Sequence, residues 1–216
     1  MRNLFKTVVA LFVFSQIAFA QKYTSIADFK NENGLPNTME DWYAYTDAPD
    51  KGVSTISNAL KSDSTYAVIL KEGNNFVAKI ESYTLGKGEN PYEPYVALGL
   101  GATKNGKAYD LSKCTGGFSY RYKGAAHSFR TELSIVKDYG FHQKMSGAST
   151  NWTTITVSPL QLDQPIWSEE KDFDAKKITA FSWEMKGDYS AKTGSLAIDD
   201  FRCLGDMPLP AKQPAP

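Results

Sequence analysis

Polar and apolar residues alternate along two neighbouring stretches in the middle of the chain. The stretch 118–123 places an aromatic residue at every second position, and 129–135 does the same with mainly aromatic and aliphatic residues. Because successive side chains of a β-strand point to opposite faces, each stretch predicts a strand with one apolar face. Arg130, Glu132 and Ser134 then share the polar face of the second strand. That face is the candidate functional surface.

Shorter runs of the same kind predict an all-β fold. Strands are expected at 42–46, 54–57, 66–71, 76–81, 95–100, 152–157, 178–186 and 195–203, with turn-forming residues between them. Irregular structure is expected at 21–41, 137–149 and 159–174. Many short strands without an amphipathic helix favour a two-sheet antiparallel β-sandwich. Residues in phase with aliphatic neighbours are assigned to its core: Phe118, Tyr120, Phe181 and Trp183.

The N-terminal residues have the pattern of a secretory signal peptide. Arg2 and Lys6 precede an apolar run at 8–17, and Ala18-Phe19-Ala20 has the small residues of a cleavage site. The run is shorter than the ~20 apolar residues of a membrane-spanning helix, so a retained anchor is the weaker alternative. We therefore expect a signal peptide at 1–20, a folded domain at 21–205, a proline-rich tail at 206–216, and a secreted protein without a membrane span.

The charge of the chain limits the classes of ligand, and its cysteines indicate the redox compartment. The formal net charge is zero, so nothing in the composition indicates binding to nucleic acid or to an anionic membrane. Two cysteines, Cys114 and Cys203, both lie in the part that would be exported, where oxidation is possible. A disulfide worth about 4 kcal/mol is the simplest interpretation, and two buried thiols are the alternative.

Hydrolysis is the main chemical alternative to binding. The chain has no G-x-S-x-G motif, and His127, in the predicted turn between the two central strands, is interpreted as a surface residue. A glycosidase needs two carboxylates about 5 to 9.5 Å apart. Glu132 and Glu184, on neighbouring predicted strands, are the pair that could face one groove, so a small glycoside hydrolase stays open as the second hypothesis.

The order of several segments resembles a known family. The segments are WYAYTD, GVST, YVALGLGA, DLSKCTGGFSYRYKG, HSFRTELSIVKDYGFH, NWTTITVSPLQL, ITAFSWEMKG and SLAIDDF. In this order they resemble carbohydrate-binding modules of family 11 and their relatives in the galactose-binding-like jelly-roll superfamily. The resemblance covers most of residues 41–204. It implies a jelly roll whose concave sheet binds a β-glucan such as cellulose or mixed-linkage glucan, commonly attached to a cellulase, with a structural calcium ion.

The resemblance also assigns roles to individual residues. Arg130 and Glu132 match the polar pair that faces the cleft, and Tyr139 and His142 lie in the segment that follows. The closing acidic pair, Asp199 and Asp200, contains a position that is commonly a calcium ligand. One departure concerns this metal, because Lys30 stands where relatives often have a glutamate after Asp-Phe.

A neutral glucan needs aromatic platforms for its ring faces and fixed polar groups for its hydroxyls. Arg130 offers a planar fork of donors and Glu132 offers two acceptor oxygens. Candidate platforms are the aromatic residues near loops, Tyr45, Tyr95, Tyr139 and Trp167, while Trp42 fits either a platform or the core. On this basis Arg130→Ala is expected to weaken binding by about 1–3 kcal/mol and to leave the fold intact.

The function expected from these features is non-catalytic binding of β-glucan, in support of polysaccharide degradation or adhesion. A cellulase or a cell-surface complex is the expected protein partner. A hypothesis of another class keeps the fold but makes the protein an adhesion or assembly subunit that binds a protein. A flat face without exposed aromatic residues would favour that hypothesis, whereas a groove lined with tyrosine and arginine would favour sugar.

Overall fold

The computed structural model describes residues 22–30, 42–61, 65–104 and 106–205. The strands are β1 (Thr24–Ala27), β2 (Trp42–Thr46), β3 (Thr55–Ile56), β4 (Ile69–Glu72), β5 (Asn75–Thr84), β6 (Tyr95–Gly101), β7 (Thr103–Lys104), β8 (Lys107–Ala108), β9 (Phe118–Gly124), β10 (His127–Leu133), β11 (His142–Ser146), β12 (Ser149–Val157), β13 (Ile178–Lys186) and β14 (Thr193–Cys203). Three single-turn 3-10 helices span Ala48–Asp50, Pro159–Gln161 and Ala175–Lys177. The predicted signal peptide and the predicted tail lie outside the described residues.

Two large antiparallel sheets make up the sandwich, and β7 and β8 form a separate two-stranded sheet. In the described part of the chain, one sheet has seven strands in the order β12-β9-β14-β5-β3, with β1 also paired to β14 and β4 to β5. The second sheet has five strands in the order β11-β10-β13-β6-β2. The predicted two-sheet antiparallel β-sandwich is confirmed. Within the described ranges, no helix has the length and apolar character needed to cross a membrane.

The two strands with the clearest alternation, β9 and β10, lie in different sheets. The chain passes from one to the other at Gly124, which has a φ of 128°. A Cβ at this position would lie 2.2 Å from the carbonyl oxygen of Ser195, so only glycine fits the crossing. The apolar faces of β9 and β10 therefore meet across the core, and their polar faces point to opposite sides of the sandwich.

The predicted core residues Phe118, Tyr120, Phe181 and Trp183 are all buried. The rings of Phe118 and Phe181 pack edge to face with centroids 4.9 Å apart. Trp183 stacks on Trp42 with centroids 5.1 Å apart, so Trp42 is a core residue. Aromatic pairs of this kind contribute about 0.5–1.5 kcal/mol beyond the area that they bury.

Two segments predicted to be irregular contain strands, and the second central strand ends earlier than predicted. The lead-in 21–41 contains strand β1, and the loop 137–149 contains strand β11. β1 pairs with β14 and β11 with β10, so partners distant in sequence supply hydrogen bonds that the local pattern does not reveal. The strand expected to reach residue 135 ends at Leu133 after an irregularity in its pairing with β13, which leaves Ile135 exposed.

The predicted disulfide between Cys114 and Cys203 is present. Cys203 ends β14, Cys114 lies in the loop before β9, and their Cα atoms are 5.2 Å apart. Two backbone hydrogen bonds flank the bridge: Gly116 N–H donates to Leu204 O at 2.8 Å, and Leu204 N–H donates to Gly117 O at 2.9 Å. The bridge therefore ties the end of the last strand to the loop that leads into β9.

His127 is a core residue, which contradicts its interpretation as surface decoration. Its ring is fully buried between the two sheets. The Nδ1 atom lies 3.0 Å from Ala125 O, and the Nε2 atom lies 3.0 Å from the Tyr120 hydroxyl. Because a carbonyl oxygen only accepts, Nδ1–H donates to Ala125 and Nε2 accepts from Tyr120, which describes a neutral imidazole. Burial lowers the pKa of His127 to about 4.

This burial predicts a pH dependence of stability. The pKa of His127 in the folded protein lies below the unfolded value, so the unfolded chain takes up the proton first as pH falls. The stability contributed by the neutral ring is therefore complete above the unfolded pKa of about 6.5 and falls by about 3 kcal/mol as pH approaches 4. Urea unfolding between pH 7 and pH 4 measures this loss. His127→Gln should remove most of it, and an identical pH dependence in that variant would contradict the assignment.

Candidate functional site

Positions from five adjacent strands form a line across the outer side of the five-stranded sheet. From β11 to β2, the paired residues are Gln143, Arg130, Ser182, Gly99 and Tyr43. A second, neighbouring line consists of Met145, Ser128, Glu184, Ala97 and Tyr45. Because residues two apart in a strand share a face, both lines belong to one surface. We call this surface the Arg130 face.

Small residues form the middle of the Arg130 face. Ala97 and Gly99 on β6 pair with Glu184 and Ser182 on β13. Gly99 is in the interior of β6, where the ring of Tyr43 lies directly over it. A Cβ at Gly99 would lie 2.3 Å from Tyr43 Cζ. The absence of a side chain at Gly99 therefore lets the Tyr43 ring lie against the sheet.

Arg130 and Glu184 form an ion pair at the centre of the Arg130 face. Their side chains are 11% and 10% exposed. The guanidinium also donates through Nη2 to Tyr139 O at 3.2 Å and lies over the Phe141 ring, 5.1 Å from its centroid. Burial alone would lower the pKa of Arg130, but the carboxylates of Glu184 and Glu132 outweigh this effect and raise it. The Arg130 guanidinium is therefore charged, and its contacts fix its orientation.

The two glutamates that the sequence paired do share the Arg130 face. Ser182 Oγ donates to Glu132 Oε1 at 2.8 Å, and the Tyr189 hydroxyl donates to Glu184 Oε1 at 3.2 Å. Glu184 also accepts from Arg130 through its other oxygen. Both carboxylates are thus held as hydrogen-bond acceptors by neighbouring strands and by the turn after β13.

Tyrosines occupy the β2 and β6 end of the Arg130 face. The rings of Tyr43 and Tyr45 are stacked with centroids 6.0 Å apart, and Tyr95 approaches Tyr45 edge-on at 6.2 Å. The Tyr95 hydroxyl donates to Asp50 Oδ2 at 2.8 Å. Burial raises the pKa values of Tyr45 and Tyr95, so both hydroxyls are neutral. The predicted platforms Tyr45 and Tyr95 therefore lie together, on the other side of the Arg130–Glu184 pair from Tyr139.

Tyr139 lies beside the opposite edge, in the turn before β11. Its side chain is 76% exposed, and its ring approaches Phe141 edge-on with centroids 6.2 Å apart. The turn is held by Asp138, which accepts from the Gly140 N–H at 3.0 Å and the Glu169 N–H at 2.7 Å. The second hydrogen bond brings the loop carrying the exposed Trp167 next to this turn. Tyr139 is therefore presented to solvent next to the guanidinium of Arg130.

His142 does not line the Arg130 face, which contradicts the role predicted for it. His142 is the first residue of β11 and pairs with Thr131. Both side chains point towards the core. The His142 side chain is 5% exposed and packs edge-on against Phe173 at 5.5 Å. The segment was expected to be a loop, in which the histidine could face solvent. Because the segment is a strand, its side chains alternate between two faces, and His142 lies on the buried face.

Several residues of the Arg130 face were not singled out from the sequence. Tyr43, Phe141, Ser182 and Tyr189 all contact the predicted residues. Tyr43 has a sequence signal, because it lies two residues before Tyr45 in a predicted strand and must share its face. Tyr189 lies beyond the predicted end of β13, and nothing in the local pattern indicates that it turns back to Glu184.

The acidic pair that the resemblance connects with calcium is engaged by arginines. Arg121 Nη1 lies 3.2 Å from Asp199 Oδ2, and Arg202 Nε donates to Asp200 Oδ1 at 2.7 Å. Burial raises the pKa of Asp199, with Arg121 opposing it. Within the described ranges, no group of three or more His, Cys, Asp or Glu residues could hold a metal ion. Two carboxylates already matched by cations do not suit calcium, which prefers six to eight oxygen ligands. Calcium binding stays an untested prediction.

The chain is similar to part of one bacterial enzyme in sequence. It is 32% identical over 193 residues to endoglucanase 3 of Fibrobacter succinogenes, a match that covers 88% of this chain. The chain spans 29% of the length of that enzyme. No protein-family model matches the chain.

Two solved structures share the architecture. One is the family 11 carbohydrate-binding module of the cellulosomal cellulase Lic26A-Cel5E of Clostridium thermocellum, with a TM-score of 0.57, 16% identity, and coverage of 87% of this chain and 97% of the module. The other is a family 11 module from Clostridium thermocellum in complex with a β-1,3-1,4-mixed-linked tetrasaccharide, with a TM-score of 0.55, 15% identity, and coverage of 85% and 95%. At these identities the likeness concerns the fold, and at that level it confirms the resemblance and the jelly-roll sandwich predicted from the sequence.

Proposed function

We propose that this chain, which has the fold of the family 11 carbohydrate-binding modules, binds β-glucan chains on the Arg130 face and does not cleave them. The observation that carries the proposal is the composition of that face. A fixed, charged guanidinium and hydrogen-bonded carboxylates lie between partly exposed aromatic residues on both sides. Mixed-linkage β-glucan is the first ligand to test, because one structure with this fold is in complex with such a tetrasaccharide.

The face suits a neutral polysaccharide in physical terms. Arg130 presents N–H donors and Glu132 presents acceptor oxygens, which match the paired donor and acceptor character of sugar hydroxyls. Tyr43 and Tyr45 on one side and Tyr139 on the other offer rings for the apolar faces of pyranoses. Because Arg130, Glu132, Tyr43 and Tyr45 are held by neighbouring strands, these side chains lose little entropy on binding.

The arrangement of Glu132 and Glu184 supports binding rather than hydrolysis. A glycosidase needs one carboxylic acid that can donate a proton and a second carboxylate that acts as nucleophile or base. Glu184 is an acceptor for Arg130 and for Tyr189, and Glu132 is an acceptor for Ser182. These contacts use both carboxylates to orient the polar groups of the face.

We further propose that the protein is secreted and that it serves polysaccharide degradation together with a cellulase or a cell-surface complex. The disulfide supports an oxidising environment, and the sequence relative with the name endoglucanase supports the connection with glucan breakdown. An adhesion or assembly subunit that binds a protein is the competing function. The tyrosines and the arginine on the Arg130 face favour sugar over that alternative.

The proposal is tested by native gel electrophoresis in gels containing mixed-linkage β-glucan, a soluble cellulose derivative, xyloglucan, xylan or no polysaccharide. The same polymers are assayed for released reducing ends. Retardation without release is expected for a β-glucan. Release of sugar would favour the alternative that the protein is a small glycoside hydrolase, a β-glucanase. Glu132 and Glu184 would then be the first residues to replace. Absence of both retardation and release would contradict the proposal and favour a protein ligand.

Gly99→Ala tests whether the Tyr43 platform contributes to binding. The added methyl group overlaps the Tyr43 ring, so the ring must leave the sheet surface. The atoms that overlap belong to the far end of the half-exposed Tyr43 side chain, so we expect the protein to fold and its retardation in β-glucan gels to fall. Gly147→Ala is the control, because a Cβ there meets no atom within 4 Å. Retardation of the Gly99 variant equal to that of the control would remove Tyr43 from the site.

A further inference from the structure

A separate pocket lies on the outer side of the seven-stranded sheet, away from the Arg130 face. It has a volume of about 160 Å³ and is lined by Glu72, Asn75, Val77, Arg121, Trp152 and Asp199. The lining residues come from β4, β5, β9, β12 and β14. Five strands of a single sheet therefore contribute to it. Of its lining residues, only Asp199 is one to which the resemblance assigns a role, as a member of the acidic pair connected with calcium.

Trp152 is the aromatic wall of this pocket. It lies in β12 where the pairing with β9 is irregular, between Ser149 and Thr153. Irregularities of this kind redirect side chains and are common next to functional sites. The guanidinium of Arg121 lies over the indole, 5.2 Å from the ring centroid. Arg121 is fixed in turn by Asp199 on the adjacent strand, at 3.2 Å.

The pocket has little net charge for a charged ligand to balance. Asp199 is matched by Arg121, and Glu72 is matched by Lys79 at 2.6 Å and Lys123 at 3.4 Å. The lining nevertheless keeps many donors and acceptors, since a guanidinium has five N–H groups, and each carboxylate has two oxygens. Asn75 adds an amide with both functions. These properties select a neutral ligand that carries several hydroxyl groups.

The size of the pocket limits the ligand to about one ring. A cavity of about 150 Å³ in another protein holds one benzene molecule. We therefore infer that the pocket of Trp152, Arg121 and Asp199 binds a single pyranose ring of a neutral saccharide. The indole contacts the ring, and the polar groups contact its hydroxyls. The site is on the opposite side of the sandwich from the Arg130 face and does not depend on the function proposed for that face.

Titration of ¹⁵N-labelled protein with glucose, galactose, xylose and cellobiose tests the inference. For at least one of these sugars, we expect saturable shifts of the Trp152 indole N–H and of the Arg121 and Asp199 amides, with a dissociation constant in the millimolar range. Trp152→Ala should abolish the shifts of the Arg121 and Asp199 amides. Trp167→Ala, which removes an exposed tryptophan outside the pocket, should leave them unchanged.

Three outcomes would overturn the inference: no shift with any of the sugars at tens of millimolar, a linear response without saturation, or shifts that persist in Trp152→Ala. Tyr45→Ala separates the two sites. Shifts around Trp152 that survive this substitution belong to the pocket. Loss of β-glucan retardation with preserved shifts at Trp152 shows that the two sites bind independently.

Discussion

Arg130→Ala is expected to lower the free energy of unfolding by about 3–5 kcal/mol, because it leaves the buried carboxylate of Glu184 without its cation. The substitution also removes the hydrogen bond to Tyr139 O and the contact with the Phe141 ring. The sequence predicted that this variant would lose binding and keep its fold. The burial of the ion pair changes that expectation, and urea unfolding at pH 7 measures the difference. Lys87→Ala is the matched control, because the Lys87–Glu93 pair is exposed and is expected to contribute about 0–1 kcal/mol.

Two further variants separate the structural role of Arg130 from its role in binding. Arg130→Lys keeps a cation next to Glu184 but loses the planar fork, so we expect near-normal folding and at least tenfold weaker β-glucan binding. Arg130→Ala combined with Glu184→Ala removes both members of the ion pair and should be more stable than the sum of the two single changes predicts. Additive losses would show that the two side chains are not coupled.

The second large effect is expected at the disulfide. Cys114 and Cys203 are 89 residues apart in sequence, and the chain-entropy model assigns about 4–5 kcal/mol to a bridge that closes a loop of this size. Replacement of both cysteines by alanine should therefore lower the free energy of unfolding by about 4–5 kcal/mol in a denaturant titration. A reducing agent should destabilise the unmodified protein by a similar amount and leave the double variant unchanged. Equal denaturation midpoints for the double variant and for the unmodified protein without reducing agent would contradict this role of the disulfide.

The strands with regular alternation were predictable from the sequence. β13 coincides with the prediction at 178–186, and the four core aromatic residues are buried as expected. β1 and β11 were not predictable, because their strand structure depends on pairing with β14 and β10 rather than on their own pattern. The sequence pattern also does not reveal that β9 and β10 lie in different sheets. Alternation identifies a strand and its two faces but not the strands with which it pairs.

The site was predictable where it follows from strand phase and was missed where it depends on a turn. Arg130, Glu132 and Glu184 share a face because each alternates with buried residues in a regular strand. Tyr45 could have indicated Tyr43 by the same argument. His127 and His142 were misplaced for a common reason, because each was assigned to a loop and lies in a strand with its ring on the buried side. The contact between Tyr189 and Glu184 depends on a turn that the local pattern does not define.

We propose the Arg130 face as the β-glucan site. Titration of the ¹⁵N-labelled protein with a β-1,3-1,4-mixed-linked tetrasaccharide tests it most directly, because each backbone amide reports its own position. We expect saturable shifts of the backbone amides of Arg130, Ser182, Tyr43 and Tyr45, and a tetrasaccharide of unchanged length at the end of the titration. Saturable binding that leaves these amides unshifted, or shortening of the tetrasaccharide, would contradict it.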